Sequence, residues 1–259
     1  MEVHKHPHHV THKKKWGEYL LEFLMLFLAV FLGFVAENLR EHVVEHRRSK
    51  EYAISLVQDL QNDTTAINVQ KKSGRIFIAI TDSLLNLSKR PLEGRNAAQF
   101  SFYARFTYWT VPLSWSRATF EQIKNSGNLR YFKNYKLLEK LMKYDGLVNE
   151  IEGEFKNHQT RGNMLLNQID KIIDPEIHHD LSMYTLLALD TMSKETKDNF
   201  FSAKIESIEN KSSEVREMLN MVIVQQRNIR FNDDRLQRTK ELASELISEL
   251  EKEYDIKQL

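Results

Sequence analysis

The residues with the plainest chemical capacity are the histidines. His4, His6, His8, His9 and His12 crowd the start of the chain, and imidazoles at that density offer a loose set of ligands for Zn²⁺, Ni²⁺ or Cu²⁺. Lys5, Lys13, Lys14 and Lys15 run among and after them, so the same tail also reads as a weakly basic flank for anionic headgroups. His42 and His46 stand one helical turn apart among glutamates and could share an ion, but no HExxH arrangement supports a zinc-hydrolase reading. His178 and His179 sit beside a helix break and read as capping or solvated groups. The acid pairs Glu152/Glu154 and Asp233/Asp234 read as solvated faces. Ser114, Ser116 and Ser126 lack the strand–turn–helix setting of an activated serine. An aromatic stretch that includes Tyr103, Phe106, Trp109 and Trp115 could stack a ligand, although filling space between long helices is its commoner use. No constellation points to catalysis. The expectation is a protein that is not an enzyme, with no catalytic residues, no cofactor and no bound metal.

The elements that would carry these groups begin with one apolar run. Residues 19–36 read YLLEFLMLFLAVFLGFVA, about 27 Å as a helix against a hydrocarbon thickness of about 30 Å. Trp16 and Tyr19 fall where an aromatic belt would sit. Arg40, Arg47, Arg48 and Lys50 follow the run but are diluted by Glu37, Glu41, Glu45 and Glu51. The uninterrupted basic cluster before the run favours an N-terminus on the cytoplasmic side. The bulk of the chain would then be periplasmic, anchored in the inner (cytoplasmic) membrane by a single pass. A cleaved signal peptide fits less well, since a cut after Ala36 would place Phe34 where a small residue is wanted. A helix lying on the membrane surface is disfavoured because the run is apolar nearly all round.

Glu22 interrupts that run, one turn after Glu18 on the same face. A carboxylate there must reach the headgroups, find a partner or be protonated. Snorkelling is the plainer reading, and a polar contact between helices is the functional one. Ala29 and Gly33 form one small-xxx-small pair that would let another helix approach.

The composition of the 259 residues narrows the rest. Lys+Arg and Asp+Glu number 37 and 36, a formal net charge of +1, and the basic residues beyond the tail are interleaved with acids, so nucleic acid is not an expected partner. The absence of cysteine removes disulfides, thiolate metal sites and cysteine nucleophiles. With 8 glycines and 4 prolines there is no glycine-rich phosphate loop and little turn material. Long helices are expected rather than sheets.

Helical spacing supports this. Ala53, Leu56, Val57, Leu60, Thr64 and Ile67 extend the anchor helix, and Ile76, Phe77, Ile80, Leu84 and Leu87 resume the pattern after a possible break at Ser73-Gly74. Pro91 and Gly94 end it. Residues 96–112 would form a short helix or an extended segment, residues 114–124 a short helix, and residues 125–128 a turn. In that turn Gly127 can take a positive φ, and Asn125 or Asn128 can cap a helix. A heptad-like face then runs through Leu137, Leu141, Tyr144, Val148, Ile151, Phe155, His158, Gly162, Leu165, Ile169 and Ile172, until Asp174-Pro175 stops it. A short helix over residues 181–192 follows. Phe201, Ile205, Ile208, Ser212, Val215, Leu219 and Val222 repeat the stepping, and a last helix over residues 234–254 buries Leu236, Ala243, Leu246, Ile247 and Leu250. The expected fold is all-α: a single N-terminal transmembrane helix followed by an elongated antiparallel helical bundle. Its divisions would be a basic tail (1–15), an anchor (16–37) and the bundle (38–259).

Two stretches carry a family likeness. One is Trp16-Gly17-Glu18-Tyr19-Leu20-Leu21-Glu22, leading into the anchor and a charged helix through Asp59 and Asp63. The other is Ala118-Thr119-Phe120-Glu121-Gln122-Ile123-Lys124-Asn125-Ser126-Gly127-Asn128-Leu129, followed by Phe132-Lys133-Asn134 and Leu137-Leu138-Glu139-Lys140-Leu141. With the ending Glu249-Leu250 through Glu253-Tyr254-Asp255-Ile256-Lys257, the organisation resembles a family of uncharacterised single-pass membrane proteins common in Bacteroidota. In that family the second stretch is a short helix, a serine-glycine turn and a new helix capped by asparagine. The resemblance implies the anchored helical architecture and no activity. The functional expectation is a scaffold or accessory subunit of an envelope complex, in contact with the lipid bilayer and with further copies of itself or another envelope protein. A ligand-sensing helical module, or an auxiliary subunit of an ion-driven or transport machine, is the alternative. Glu18, Glu22, Trp115, Ser126 and Gly127 are the candidate interaction residues.

Overall fold

Apolar residues at helical spacing with few chain breakers should give few, long helices, and three such helices dominate the computed structural model, which describes residues 15–109 and 111–257. They are α1 (Trp16–Leu87), α4 (Tyr135–Ile169) and α7 (Ser212–Glu253). Shorter helices α2 (Gly94–Ala104), α3 (Ala118–Asn125), α5 (Pro175–Asp180) and α6 (Lys194–Phe201) lie between them, with single 3₁₀ turns at Asn128–Tyr131, Leu181–Met183, Leu186–Asp190 and Glu209–Lys211. The described residues contain no strand, and the molecule is an all-α, multi-helix bundle.

The chain divides into two compact units, Met1–Glu51 and Tyr52–Leu259. In the first, α1 is long and apolar enough to cross a membrane, and no part of its apolar window is buried. The Phe23, Phe27 and Phe31 rings stack at 6.3 and 6.1 Å, and Glu37 pairs with Arg40 at 2.5 Å. The histidine tail falls outside the described residues.

In the second unit the direction of each long helix follows from its polar cross-links. Along α4 and α7, Asn134 meets Glu253 (2.6 Å), Lys140 meets Glu245 and Glu249 (2.6 and 2.5 Å), and Gln168 meets Glu217 (3.0 Å). Rising numbers on one helix match falling numbers on the other, so the pair is antiparallel. Lys240 with Asn68 (2.8 Å) and Gln226 with Asp82 (3.1 Å) make α1 and α7 antiparallel too. Hence α1 and α4 run parallel, which corrects the simple antiparallel expectation. A parallel pair needs a return connection, and residues 88–134 supply it. At one end α2 packs on α6, with Phe102 5.2 Å from Phe201 and Arg95 2.6 Å from Asp198. From there the chain travels back along the bundle to α3.

Two apolar cores result. One gathers Phe77, Leu84, Phe100, Phe106, Leu165 and Met218 at the α2/α6 end. The other gathers Ala53, Leu60, Phe120, Leu137, Leu246 and Leu250 at the α3 end. Between them lies a thin layer of Ile67, Ile151 and Leu236.

Several sequence expectations change. No break occurs at Ser73-Gly74. There a Cβ on Gly74 would stand 3.0 Å from Ile229 Cγ2, so the glycine marks a close approach of α1 to α7. The short helix expected over 114–124 begins only at Ala118. The helix expected over 181–192 is instead a pair of 3₁₀ turns, preceded by α5, whose N-cap is Asp174 and whose first residue is Pro175. That dipeptide stops α4 by starting another helix. Phe201 and Ile208 are buried outside α7, and the last helix starts at Ser212 rather than near 234.

Candidate functional site

Each of the expected interaction residues has a definite place. Glu18 and Glu22 are exposed in the first turns of α1, in the first unit. The other three lie in the second unit and serve two separate structures.

Ser126 and Gly127 form the turn after α3. Gly127 has φ +71°, the left-handed conformation that only a residue without Cβ adopts freely. Ser126 Oγ donates to the Gln122 carbonyl (2.6 Å). Neither neighbouring asparagine caps a helix, contrary to expectation. Asn128 Nδ2 donates instead to Tyr52 Oη (2.8 Å). The cap on α4 is Asn134, whose side chain accepts from the Lys136 and Leu137 amides (3.1 and 3.2 Å).

Trp115 belongs to the returning segment and meets Tyr144 edge-on at 6.5 Å. Polar bonds beside it pin that segment to two helices. Asp63 on α1 accepts from the Ser116 amide (2.7 Å) and from Tyr144 Oη (2.7 Å). Asp59 accepts from the Thr119 amide (3.3 Å). Arg117 reaches Asp145 (2.6 Å), Glu152 (3.0 Å) and Glu121 (3.2 Å). Burial raises the Asp63 carboxyl above its ordinary range against the lowering effect of its two hydrogen bonds. Burial and the adjacent Asp63 also push the Tyr144 phenol far up. Burial opposes the Arg117 charge, but its three carboxylates outweigh that and raise it. These residues act as a fastening. The only trace of it in the sequence is the position of Asp63, three residues after Leu60 and four before Ile67 on the apolar stripe, which does not by itself name its partners.

Of the proposed aromatic ligand face, Phe106 is fully buried, and Tyr103 packs against Phe201 with ring centroids 5.9 Å apart. Both fill the α2/α6 core. Trp109 and Trp115 line hollows at the middle of the bundle.

That middle is the most distinctive place in the second unit. Following the core register along each long helix, α1 presents Gln70, Ser73 and Gly74 between Ile67 and Phe77. α4 presents His158 between Ile151 and Leu165, and α7 presents Gln225 and Asn232 between Val222 and Leu236. All three helices bring polar residues into the core register at one level, beside Phe155 on α4 and Ile229 on α7. A cavity of about 50 Å³ opens there, its apolar wall including Phe77, Trp109, Val111 and Ile229. A shallower hollow of about 240 Å³, lined by Trp115 and Gln159 among others, shares Leu113, Ile151 and Phe155 with it. Asn232 Nδ2 donates to His158 Nε2 (3.2 Å). Burial lowers the His158 imidazole below its usual range, helped by the nearby Arg161 charge and opposed by Glu154 and by a bond to Gln225. Lys71 and Asp233 face each other at 3.4 Å on the same wall. Among the described residues, no group of three or more His, Cys, Asp or Glu stands where it could hold a metal ion.

Comparison with family models, with curated proteins and with solved structures finds no match to this chain.

Proposed function

We propose that this protein is a membrane-anchored, non-enzymatic helical bundle acting as a scaffold or accessory subunit of an envelope complex. The carrying observation is the uncovered apolar run of α1. Phe23, Leu26, Phe27, Leu32 and Phe34 are each more than half exposed, a free-energy cost in water of about 25 cal/mol per Å² of apolar surface that a bilayer removes. The likeness of residues 16–22 and of the serine-glycine turn to single-pass proteins of Bacteroidota supports the same reading. Residues 16–37 form the anchor, the N-terminal tail lies on the cytoplasmic side, and the bundle stands in the periplasm. Its partners are the lipid bilayer and either further copies of the chain or another envelope protein. Glu18 and Glu22 sit where such a partner's helix would meet the anchor.

The anchor is tested by washing membranes that contain the full chain with alkaline carbonate. Retention in the pellet is expected, and release into the supernatant would overturn the reading. Because the chain has no cysteine, orientation is read without background from Lys5→Cys and Glu150→Cys and a membrane-impermeant maleimide. Labelling of the second variant alone in intact spheroplasts is expected. The scaffold role is tested by mass spectrometry of the complex after gentle extraction. A small multiple of this chain, or a reproducible second protein, is expected. A lone monomer with no companion speaks against it.

A further inference from the structure

A buried polar layer in a helical bundle usually fixes register. A layer with that sole task is packed shut, because empty space beside polar groups adds a cavity cost to a desolvation cost. Here the polar layer opens onto a cavity. Polar residues from α1, α4 and α7 line it together with Phe77, Trp109, Val111 and Ile229. Among the buried polar atoms of that lining, Gln70 Oε1 and Trp109 Nε1 have no hydrogen-bond partner among the described residues. An apolar chamber with a few converging polar groups is the general form of a small-molecule site.

We infer that the middle of the bundle is a binding site for a small uncharged aromatic molecule bearing one hydroxyl or amine, of phenol or indole size. Charge excludes ions, since Lys71 and Asp233 on the wall neutralise each other at 3.4 Å and an ion brought there would lose hydration without a counter-charge. Size follows from the space. The inner cavity alone holds about 50 Å³, against about 150 Å³ for an apolar cavity that takes benzene. A ring therefore enters only if the shared side chains Leu113, Ile151 and Phe155 shift to join the cavity to the neighbouring hollow of about 240 Å³. The hydroxyl or amine of the ligand is placed at Gln70 Oε1, a lining acceptor with no partner among the described residues, and its ring lies against the apolar wall. This inference is independent of the anchor and of the scaffold role.

The test uses the full chain in detergent, with ¹⁹F NMR of 4-fluorophenol and fluorobenzene as probes. Saturable binding of 4-fluorophenol is expected, about ten-fold tighter than fluorobenzene, as one extra hydrogen bond allows. Gln70→Leu should erase that preference while the ring still binds. Val111→Trp, which fills the chamber from the returning segment, should abolish both, with helicity by circular dichroism unchanged. Three results overturn the assignment: no saturable binding to the wild-type chain, undiminished binding to Val111→Trp, or an undiminished preference in folded Gln70→Leu.

Discussion

Gly127 adopts φ +71° with open space where a Cβ would go, so a substitution there is penalised by backbone conformation alone. Gly127→Val should lower stability by about 1–3 kcal/mol, and Gly127→Asn by much less, since asparagine tolerates the left-handed region. Thermal unfolding of the two variants checks this, and equal melting temperatures would contradict it. His158 makes a pH prediction. Its folded pKa lies below the ordinary value, so the unfolded chain binds the proton first as pH falls. Stability is then constant above about pH 6.5 and declines below it, until the folded state is protonated too. His158→Leu should shrink that decline in unfolding curves measured between pH 7 and 5, leaving the share of His178, whose imidazole burial also lowers. Within the anchor, Glu22→Gln should weaken association with the partner, or with further copies, and leave the bundle's melting temperature unchanged. Intact assembly in that variant removes Glu22 from the interface. Gly127 was legible from sequence because few residues suit a tight turn between two helical patterns. Asp63 was not, because one carboxylate on an apolar stripe looks like noise until Tyr144 and the Ser116 amide are brought to it by the fold.

Helical periodicity located the long elements well wherever their cores are apolar. Ala53 to Ile67, Phe77 to Leu87 and the α4 face from Leu137 to Ile169 lie where the spacing puts them. The misplaced break in α1 and the late start given to the last helix share one cause. Around Gln70–Gly74 and Gln225–Asn232 the apolar repeat lapses, and a lapse in the repeat reads as a lapse in the helix. The helices run on, and what fails there is the apolar character of the core. The short 3₁₀ turns after α5 were hidden for another reason: they are held by burial of Leu181, Leu186 and Leu189 in the α2/α6 core, not by local propensity. Helix continuity at Gly74 can be checked. Gly74→Leu should cost about 1–3 kcal/mol by overpacking against Ile229. Gly74→Ala should change stability by less than about 1 kcal/mol, since its gain in helix propensity opposes the 3.0 Å contact. A kinked or broken α1 would tolerate both equally.

At the scale of the bundle, two apolar cores joined by a polar layer should not open as one piece. Amide hydrogen exchange should show strong protection at Leu56–Leu60 with Leu242–Leu250, and again at Phe77–Leu84 with Leu165–Ile169. The stretches Ile67–Gly74 and Gln225–Asn232 should exchange sooner. Uniform protection along α7 would rule this out. The parallel course of α1 and α4 has a further consequence, which concerns synthesis. Ala53 to Leu60 share a core with Phe120 and Leu137 and with Leu242 to Leu250, the last made almost two hundred positions later. At about 5–20 residues per second the early stripe waits on the order of tens of seconds for its cover. This end of the bundle cannot close until Leu242 to Leu250 have been made, so a chaperone of the emerging chain has a defined surface to protect and a defined moment to let go.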